Sequence, residues 1–333
     1  MSKLFFSDPH WTDNPLESYR FDFVDWLIPF FIPNNISQIY ILGDLTEKKD
    51  RHSEWLINKI ESIIYALSNY AEVFIITGNH DCISKSTFKF LGKYNNVNFY
   101  DEPEVDTDED ILFLPYTKTP TKDWEDFRNH WTDFKFILMH QTVDGSYTHN
   151  GYILSSDLKS SYFDYAPGVT IFSGDIHTPQ KIGNVEYIGS PYPIYFGDEQ
   201  KGRVVIIRDD GTREDLTFPT IKRHMLNISS LEELKDVEIK ENDQVKIRVI
   251  LTQDSLHTYL NIKDDISTYI DEIGAKLVTI ELNVNTFKVE SDERLMKVQD
   301  DKSIKDYVEK MVNIEGLGNV YFETAMDIVN ETK

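Results

Sequence analysis

The 333-residue chain has little of several features, and each scarcity narrows what the protein can be. Its single cysteine, Cys82, excludes an intrachain disulfide and a cysteine-rich zinc site, and agrees with a reducing compartment. The longest nearly apolar run, 24–33, includes Asp25 and two prolines and is about half as long as a bilayer span. The N-terminal apolar stretch is too short for a secretory signal. We therefore expect no membrane anchor and a cytoplasmic protein.

Positive charge is also scarce, since 34 lysines and arginines face 57 aspartates and glutamates, for a net charge of −23. Proteins that bind DNA through its phosphates are usually basic, so this balance warns against such a partner. The distribution of charge matters more than its sum. Segment 101–110 contributes seven acids and no base, and we expect a solvated loop that faces away from any polyanion. Small basic groups remain at 48–51, 201–203 and 222–223.

The order of apolar patterns predicts an α/β protein. Short strand-like runs alternate with helical patterns over the first part of the chain, as in layered α/β domains. The clearest helix follows Ser53, a residue type that caps helix N-termini well. The predicted strands are 3–7, 38–43, 72–77, 135–139, 169–173, 185–189 and 203–208, with a turn at 209–211.

A second unit begins near Pro219. Strand-like patterns at 244–251, 277–282 and 287–290, with helical spacing at 259–273, predict a small α/β module. From about Asp292 the chain is charged and has two apolar stripes at helical spacing, which predicts a helical tail that either closes the core of the second unit or binds a partner. We therefore predict three units, at 1–218, 219–291 and 292–333.

Polar residues cluster just after five of the predicted strands. In chain order they are Asp8 and His10, then Asp44, then Asn79 and His80, then His140, and finally Asp175 and His177. Because strand ends converge at one edge of a layered α/β sheet, these side chains can meet in one cleft. All but His80 would serve two divalent ions about 3.5–4 Å apart, with Asp44 as the natural bridge. The number of oxygen donors favours Mn²⁺, with Mg²⁺ as the alternative.

Each of these motifs alone is more often a turn, a polar loop or a packed histidine than a metal site. Five of them at five successive strand ends make coincidence a poor explanation. The remaining histidines lack that support, and we interpret them as surface or structural residues: His52, His130, His149, His224 and His257.

The ordered motifs resemble the five signatures of the calcineurin-like metallophosphoesterases over residues 3–200. They are Asp8-Pro9-His10, Gly43-Asp44, Gly78-Asn79-His80-Asp81, His140 and Gly174-Asp175-Ile176-His177. The resemblance implies two metal sites that share Asp44: one adds Asp8, His10 and His177, and the other adds Asn79, His140 and Asp175. It also implies that His80 contacts the scissile phosphate and helps to protonate the leaving oxygen.

One residue departs from the pattern, because Asp175 stands where the family usually has histidine. A carboxylate still binds divalent ions, so we expect metal binding to be retained with a preference for harder ions. Glu47, three residues after Asp44, stands where the family often has Asp or His near the phosphate path. Its role is left open.

A Gly-Ser-Pro segment at 189–191 resembles the stretch at the same place in SbcD-type nucleases, and the compact size resembles phage-encoded members. The resemblance implies a layered β-sandwich phosphoesterase domain flanked by helices, a small α/β cap domain and a helical C-terminal tail. It further implies a DNA repair and recombination nuclease with 3′-to-5′ exonuclease activity on duplexes and endonuclease activity on single strands. Its expected partners are DNA, a second copy and an SbcC-type SMC-like coiled-coil ATPase bound by the tail, in the host cytoplasm if phage-encoded.

Two other functions stay open. The acidic charge favours a small-molecule phosphodiesterase or phosphatase that uses the same metal core. Asp175 leaves open a DNA-end-binding subunit with weakened catalysis. The Gly-Ser-Pro segment, the second unit and the amphipathic tail favour the nuclease, because a small-substrate enzyme has no need for an extra exposed apolar stripe.

Overall fold

The computed structural model describes residues 2–81, 87–128, 130–164, 166–196, 198 and 201–285. The predicted strand 287–290, the predicted tail 292–333 and Cys82 lie outside the described residues. The strands, numbered along the chain, are β1 (Ser2–Phe6), β2 (Ile36–Leu42), β3 (Glu72–Ile76), β4 (Val97–Tyr100), β5 (Glu104–Asp106), β6 (Ile111–Leu114), β7 (Phe136–His140), β8 (Thr170–Gly174), β9 (Gln180–Ile182), β10 (Val185–Tyr187), β11 (Val204–Ile207), β12 (Arg213–Leu216), β13 (Arg223–Ile228), β14 (Gln244–Thr252) and β15 (Lys276–Asn285).

The described residues also form α-helices and short 3₁₀ helices. The α-helices are α1 (Tyr19–Leu27), α2 (Glu54–Ser68), α3 (Pro120–Asp123), α4 (Leu231–Lys235) and α5 (Tyr259–Glu272). The 3₁₀ helices are Pro15–Glu17, Ile28–Phe30, Lys89–Lys93, Glu125–Phe127, Trp131–Asp133, Ser160–Phe163 and Gln253–Thr258. Across the described ranges, no helix has the length and apolar character that crossing a membrane requires.

Two six-stranded sheets form the larger part of the fold. The first has the order β12-β11-β1-β2-β3-β4, and the second has the order β5-β6-β7-β8-β10-β9. Aromatic rings fill the space between them: Phe5 stacks on Tyr40 and Tyr40 on Phe74, each with ring centroids 4.8 Å apart. Phe113 and Phe172 of the second sheet pack in the same buried cluster. The predicted layered α/β fold is confirmed.

Helices cover the outer face of the first sheet. The Ser53 hydroxyl accepts a hydrogen bond from the Leu56 amide at 3.2 Å and caps α2, as its sequence predicts. From α2, Ile60 and Ile64 are fully buried in the cluster that includes residues of β1, β2 and β3. Because β1, β2 and β3 run parallel to one another, their C-terminal ends lie at one rim of the sandwich.

The third sheet has the order β13-β14-β15 and is parallel throughout. Its core contains Ile247 and Val249 from β14 and Ile266 and Ile270 from α5. The sequence at 223–228 did not predict β13, because polar residues interrupt its apolar pattern. The division of the chain at 218 and 291 stays a prediction.

The acidic segment 101–110 is not the continuous loop that its composition predicts. Residues Glu104–Asp106 form β5, which pairs with β6 in antiparallel fashion at the edge of the second sheet. An edge strand tolerates charge on its solvent side while Val105 packs against the apolar core. Glu109 also has a partner, since Lys3 donates to its carboxylate at 2.8 Å.

Candidate metal centre

The ends of β1, β2 and β3 meet the ends of β7 and β8 at one rim of the sandwich. The Asp8 amide donates to the Gly43 carbonyl at 3.1 Å, and the Asp175 amide donates to Asp8 Oδ1 at 3.1 Å. All eight predicted site residues lie at this rim. Asp44, Asn79, His80, Asp175 and His177 line a cavity of about 420 Å³. Asp8, His10 and His140 are buried next to it.

One group of possible metal ligands comprises Asp8, His10 and His177. The two imidazole Nε2 atoms lie 3.0 Å apart, and His10 Nε2 lies 3.9 Å from Asp8 Oδ1 and 3.5 Å from Asp44 Oδ2. Two ring nitrogens at this distance either share one proton or point towards a common cation. The donors suit a divalent metal ion.

A second group forms around the other oxygen of Asp44. His140 Nε2 lies 3.4 Å from Asp44 Oδ1 and 3.9 Å from Asp175 Oδ1, and Asn79 Nδ2 lies 3.5 Å from the same Asp175 oxygen. The two oxygens of Asp44 therefore face two different histidines, which is the geometry of a bridging carboxylate. Asp8 is also within reach of Asp44 and His140.

The hydrogen bonds of His140 test whether this site fits a metal. Its Nδ1 lies 2.7 Å from the Leu42 carbonyl, which can only accept, so Nδ1 carries the ring hydrogen. Its Nε2 is buried and makes no well-aligned hydrogen bond with the described residues, although Asp44 Oδ1 lies 3.4 Å away. A ring anchored through one nitrogen to a backbone carbonyl, with the other nitrogen free, is the usual arrangement of a metal-binding histidine. The residues present therefore fit a divalent ion.

The charges of the site show the same fit. Burial, together with the neighbouring carboxylates, raises the pKa of Asp8 to about 8, and burial also raises the pKa of Asp175. Burial opposes protonation of His140, but Asp44 and Asp8 hold its pKa well above the usual range. The positive charge of the protein is thus too small to stabilise all of these carboxylates in their ionised form. Divalent cations would supply it.

The other two imidazoles are held in the form that binds metals. Burial lowers the pKa of His177 to about 4 and places the pKa of His10 well below its usual value. Both rings are therefore neutral near pH 7, and a neutral imidazole is the metal-ligating state.

Four site residues have left-handed backbone conformations, with φ of 53° at Asp8, 44° at His10, 56° at Asp44 and 80° at Asp175. They make up four of the seven non-glycine residues with positive φ in the part of the chain that the structure describes. Such conformations are costly for residues with a Cβ and concentrate at functional sites. Gly43 is also left-handed, and a Cβ there would collide with the His140 ring. The rim is therefore built from sharp turns immediately after the strands.

Asp81 is a positioning residue that the motif contains but to which the sequence analysis gave no role. Its buried carboxylate accepts hydrogen bonds from the amides of Asp44, Leu45 and Gly78, at 2.7, 2.8 and 2.9 Å. Burial and the nearby Asp44 raise its pKa to about 7 in spite of these donors. Asp81 thus ties the loop after β2 to the loop after β3. Its position as the last residue of the Gly-Asn-His-Asp motif was the feature of the sequence that could have indicated this role.

His80 lies at the wall of the cavity and is partly exposed. Its amide donates to Asp44 Oδ1 at 2.8 Å, and its Nδ1 donates to the Glu47 carbonyl at 2.6 Å. Its Nε2 lies 4.0 Å from Asp44 Oδ2. The carboxylate of Glu47 accepts from Arg20 Nη1 at 2.8 Å and lies 3.8 Å from His10 Nδ1. Glu47 therefore orients His80 through its backbone.

His149, which we interpreted as a surface or structural residue, lines the cavity instead. Its ring stacks on Tyr195 with centroids 5.0 Å apart, and Tyr195 stacks on His177 at 5.4 Å. No local pattern marks His149, because it lies in a loop far from any predicted strand end. Arg20 was missed because it lies within α1, in a helical pattern that does not reveal its contact with the His10 carbonyl.

Comparisons with known proteins agree with this geometry. Residues 1–179 match the family described as calcineurin-like phosphoesterase. Because this is more than half of the chain, the protein belongs to that family, as its motifs predicted. The fold and its clustered His and Asp side chains define a metal-dependent phosphoesterase.

Two relatives and two solved structures illustrate the similarity. Exonuclease subunit 1 of Enterobacteria phage T4 is 24% identical over 253 residues, which cover 72% of this chain and 73% of that protein. An uncharacterised protein of Acanthamoeba polyphaga mimivirus is 26% identical over 204 residues, which cover 53% of this chain and 14% of that protein. Nuclease MPE of Pseudomonas putida aligns over 64% of this chain and 87% of its own, with 14% identity and a TM-score of 0.34. The phosphoesterase Yfce of E. coli aligns over 65% and 99%, with 12% identity and a TM-score of 0.34.

Proposed function

We propose that this phosphoesterase is a DNA nuclease that degrades duplex ends in the 3′-to-5′ direction and cuts single strands internally. One observation carries the proposal: the similarity to an exonuclease subunit of phage T4 covers 72% of the chain, whereas the family match ends at residue 179. The likeness thus extends beyond the phosphoesterase core, into residues that a small-ester hydrolase would not need.

In this proposal the two ligand groups each hold one divalent ion, and Mn²⁺ is the physiological metal. Asp8, His10 and His177 hold one ion, Asn79, His140 and Asp175 hold the other, and Asp44 bridges them. When bound, such a pair supplies a nucleophile at neutral pH and neutralises the phosphoryl oxygens. Asp175 replaces an imidazole by a hard oxygen donor, which favours Mn²⁺ or Mg²⁺ over Zn²⁺.

His80 is the proposed proton donor to the leaving 3′ oxygen. Its Nδ1 hydrogen bond to the Glu47 carbonyl fixes the ring and reserves Nε2 for the substrate. A protonated Nε2 can then transfer its proton as the bond from phosphorus to oxygen breaks.

Local positive charge supports a DNA path in spite of the acidic total. Lys48, Lys49 and Arg51 are exposed on the loop after β2, which also carries Asp44. A second cavity of about 370 Å³ shares His149 and Tyr195 with the first and includes Lys246 of the third sheet. We propose that DNA phosphates are neutralised by these exposed cations beside the metal centre.

The nuclease is further proposed to act as a subunit. The T4 relative is named as a subunit of an exonuclease, which supports a partner chain. We propose an SbcC-type SMC-like ATPase bound through the predicted tail 292–333, a homodimer, a role in DNA repair and recombination, and the host cytoplasm as the location. Co-expression with and without residues 292–333 tests the tail, since its removal should abolish co-purification with the ATPase.

The deciding experiment compares end-labelled duplex DNA, circular single-stranded DNA and bis-p-nitrophenyl phosphate as substrates, with Mn²⁺, Mg²⁺ or EDTA. We expect Mn²⁺-dependent cleavage of both DNAs that is lost in His140→Ala. The control His130→Ala should keep this cleavage, since the His130 side chain is exposed and pairs only with Asp133 among the described residues.

Two other results would redirect the assignment. Hydrolysis of the small ester alone would indicate the small-molecule phosphodiesterase that the acidic charge favours. DNA binding without cleavage would indicate an end-binding subunit weakened by Asp175, and Asp175→His should then restore cleavage.

A further inference from the structure

Arg223, the first residue of β13, connects the third sheet to the rim of the sandwich. Its side chain is 5% exposed and pairs with Glu17 Oε1 at 3.0 Å. It also donates to the Ile194 carbonyl and to Gln244 Oε1, and its guanidinium lies 4.1 Å from the centre of the Phe196 ring. One buried cation thus holds several segments that are distant in sequence.

An ionic path leads from Arg223 to His10. Glu17 pairs with Arg20 as well as with Arg223, and Arg20 is only 1% exposed. Arg20 in turn donates to the His10 carbonyl and, at 2.8 Å, to Glu47 Oε2. That Glu47 oxygen lies 3.8 Å from His10 Nδ1, a buried nitrogen that has no hydrogen-bond partner among the described residues.

An aromatic path leads from Arg223 to His177. Arg223 holds the Ile194 carbonyl, and the next residue, Tyr195, stacks on the His177 ring with centroids 5.4 Å apart and planes 24° apart. Phe196 lies between two cations, with Lys246 Nζ 4.3 Å from its ring centre. Both neighbours of the Tyr195 backbone are therefore fixed by the third sheet.

The two paths end on the two imidazoles of one ligand group, His10 and His177. We propose that Arg223 is a positioning residue that sets the spacing of these imidazoles, so that the third sheet tunes the affinity of this metal position and leaves the His140 position alone. The inference rests on the proposed metal centre and not on the proposed DNA substrate.

The reason lies in how buried charge is shared. Glu17 and Glu47 both bind Arg20, and Arg223 takes up part of the charge of Glu17. Without Arg223, Glu17 is left to Arg20 alone and draws it away from Glu47 and the His10 carbonyl. Partners behind a metal ligand orient it, and their loss typically weakens metal binding about 10- to 100-fold.

Calorimetric titration of the full chain with Mn²⁺, with electron paramagnetic resonance of the bound ions, tests the proposal. Arg223→Met should weaken one of the two Mn²⁺ affinities by about tenfold and leave the other unchanged. The matched control is Arg248→Met, because Arg248 lies in the same sheet but is exposed and pairs only with Glu281 among the described residues. Glu17→Gln should reproduce the effect, and it covers the case in which Arg223→Met fails to fold.

A double variant identifies which position is affected. In His177→Ala, which already weakens one position, Arg223→Met should cause no further loss at the remaining one. Equal losses at both positions, or no loss in folded Arg223→Met and Glu17→Gln, would overturn the inference. A wild type that binds no Mn²⁺ would overturn both the metal centre and the inference, whereas failure to cut DNA with two Mn²⁺ bound would overturn only the proposed substrate.

Discussion

The rim of the sandwich and the third sheet both bury carboxylates, but they satisfy them differently. In the third sheet, Asp243 is 3% exposed and accepts from His224 at 3.0 Å and from the amides of Lys222 and Lys240 at 2.9 and 3.0 Å. At the rim, Asp8 is fully buried and accepts from the Ser7 hydroxyl and the Asp175 amide, but burial and the carboxylates of Asp44 and Asp175 raise its pKa. Low solvent exposure alone therefore does not distinguish a structural carboxylate from a metal ligand, but the balance between neighbouring carboxylates and hydrogen-bond donors does.

The same substitution at Asp44 and at Asp243 gives the sharpest test of this difference. Asp44→Asn should lower kcat by more than about 1000-fold, because the charge of the bridging carboxylate is lost. This exceeds the loss expected when one active-site hydrogen-bond donor is removed. Asp243→Asn should lower the free energy of unfolding by about 1–3 kcal/mol and keep activity, because it disturbs only buried hydrogen bonds. Steady-state kinetics and chemical denaturation measure the two effects. An inactive but fully stable Asp243→Asn would erase the distinction.

The two regions also differ in what their histidines do. His80→Gln should lower kcat by about 100- to 10,000-fold, because a proton donor is lost, while Mn²⁺ affinity stays the same. His224→Gln, which affects the partner of Asp243, should leave kcat unchanged. Single-turnover kinetics and Mn²⁺ titration separate the two roles. If Mn²⁺ affinity falls in His80→Gln, His80 is a ligand and not a proton donor.

Asp81 is an intermediate case, since it is well supplied with donors yet lies at the rim. Asp81→Asn should weaken Mn²⁺ binding by about 10- to 100-fold by loosening the loops that carry Asp44 and Asn79. Calorimetric titration measures the loss. The Asp243→Asn protein serves as the control, and equal Mn²⁺ binding by the two variants would contradict a positioning role for Asp81.

The smallest expected effect is the pH dependence of stability from Asp243. Burial opposes its ionisation, but the hydrogen bonds from His224, Lys240 and Lys222 hold its pKa below the usual 3.8. The carboxylate therefore contributes stability above pH 3.8, and this contribution is lost as the pH falls through the lower pKa of the folded state. Denaturation of the wild type and Asp243→Asn should converge as the pH is lowered through this range. A constant difference would indicate that Asp243 does not titrate in this way.

The sequence predicted the part of the site that follows directly from strand ends. Asp8, Asp44 and His140 come just after or at the end of strong apolar strands, so their convergence could be inferred from sheet geometry alone. The left-handed turns at Asp8 and Asp44 could not be inferred, because they depend on contacts between the two sheets.

Side chains that act from a distance were invisible in the sequence. Arg20 lies in an ordinary helical pattern, and only the folded chain brings it between Glu17 and Glu47. β13 was missed because an arginine, a histidine and an asparagine interrupt its apolar pattern. β5 was missed because its acidic composition hides a single inward-facing Val105.

The position of β1 in the first sheet has a consequence for how the protein is made. β1 pairs on one side with β2, but its other neighbour is β11, which begins about 200 residues later at Val204. A chain emerging from the ribosome therefore carries β1 with one unpaired edge until residue 207 has been synthesised, and such an edge can bind other extended chains. The rim that holds Asp8 and His10 is braced on that side only afterwards, so we expect the metal centre to be completed only when most of the polypeptide exists.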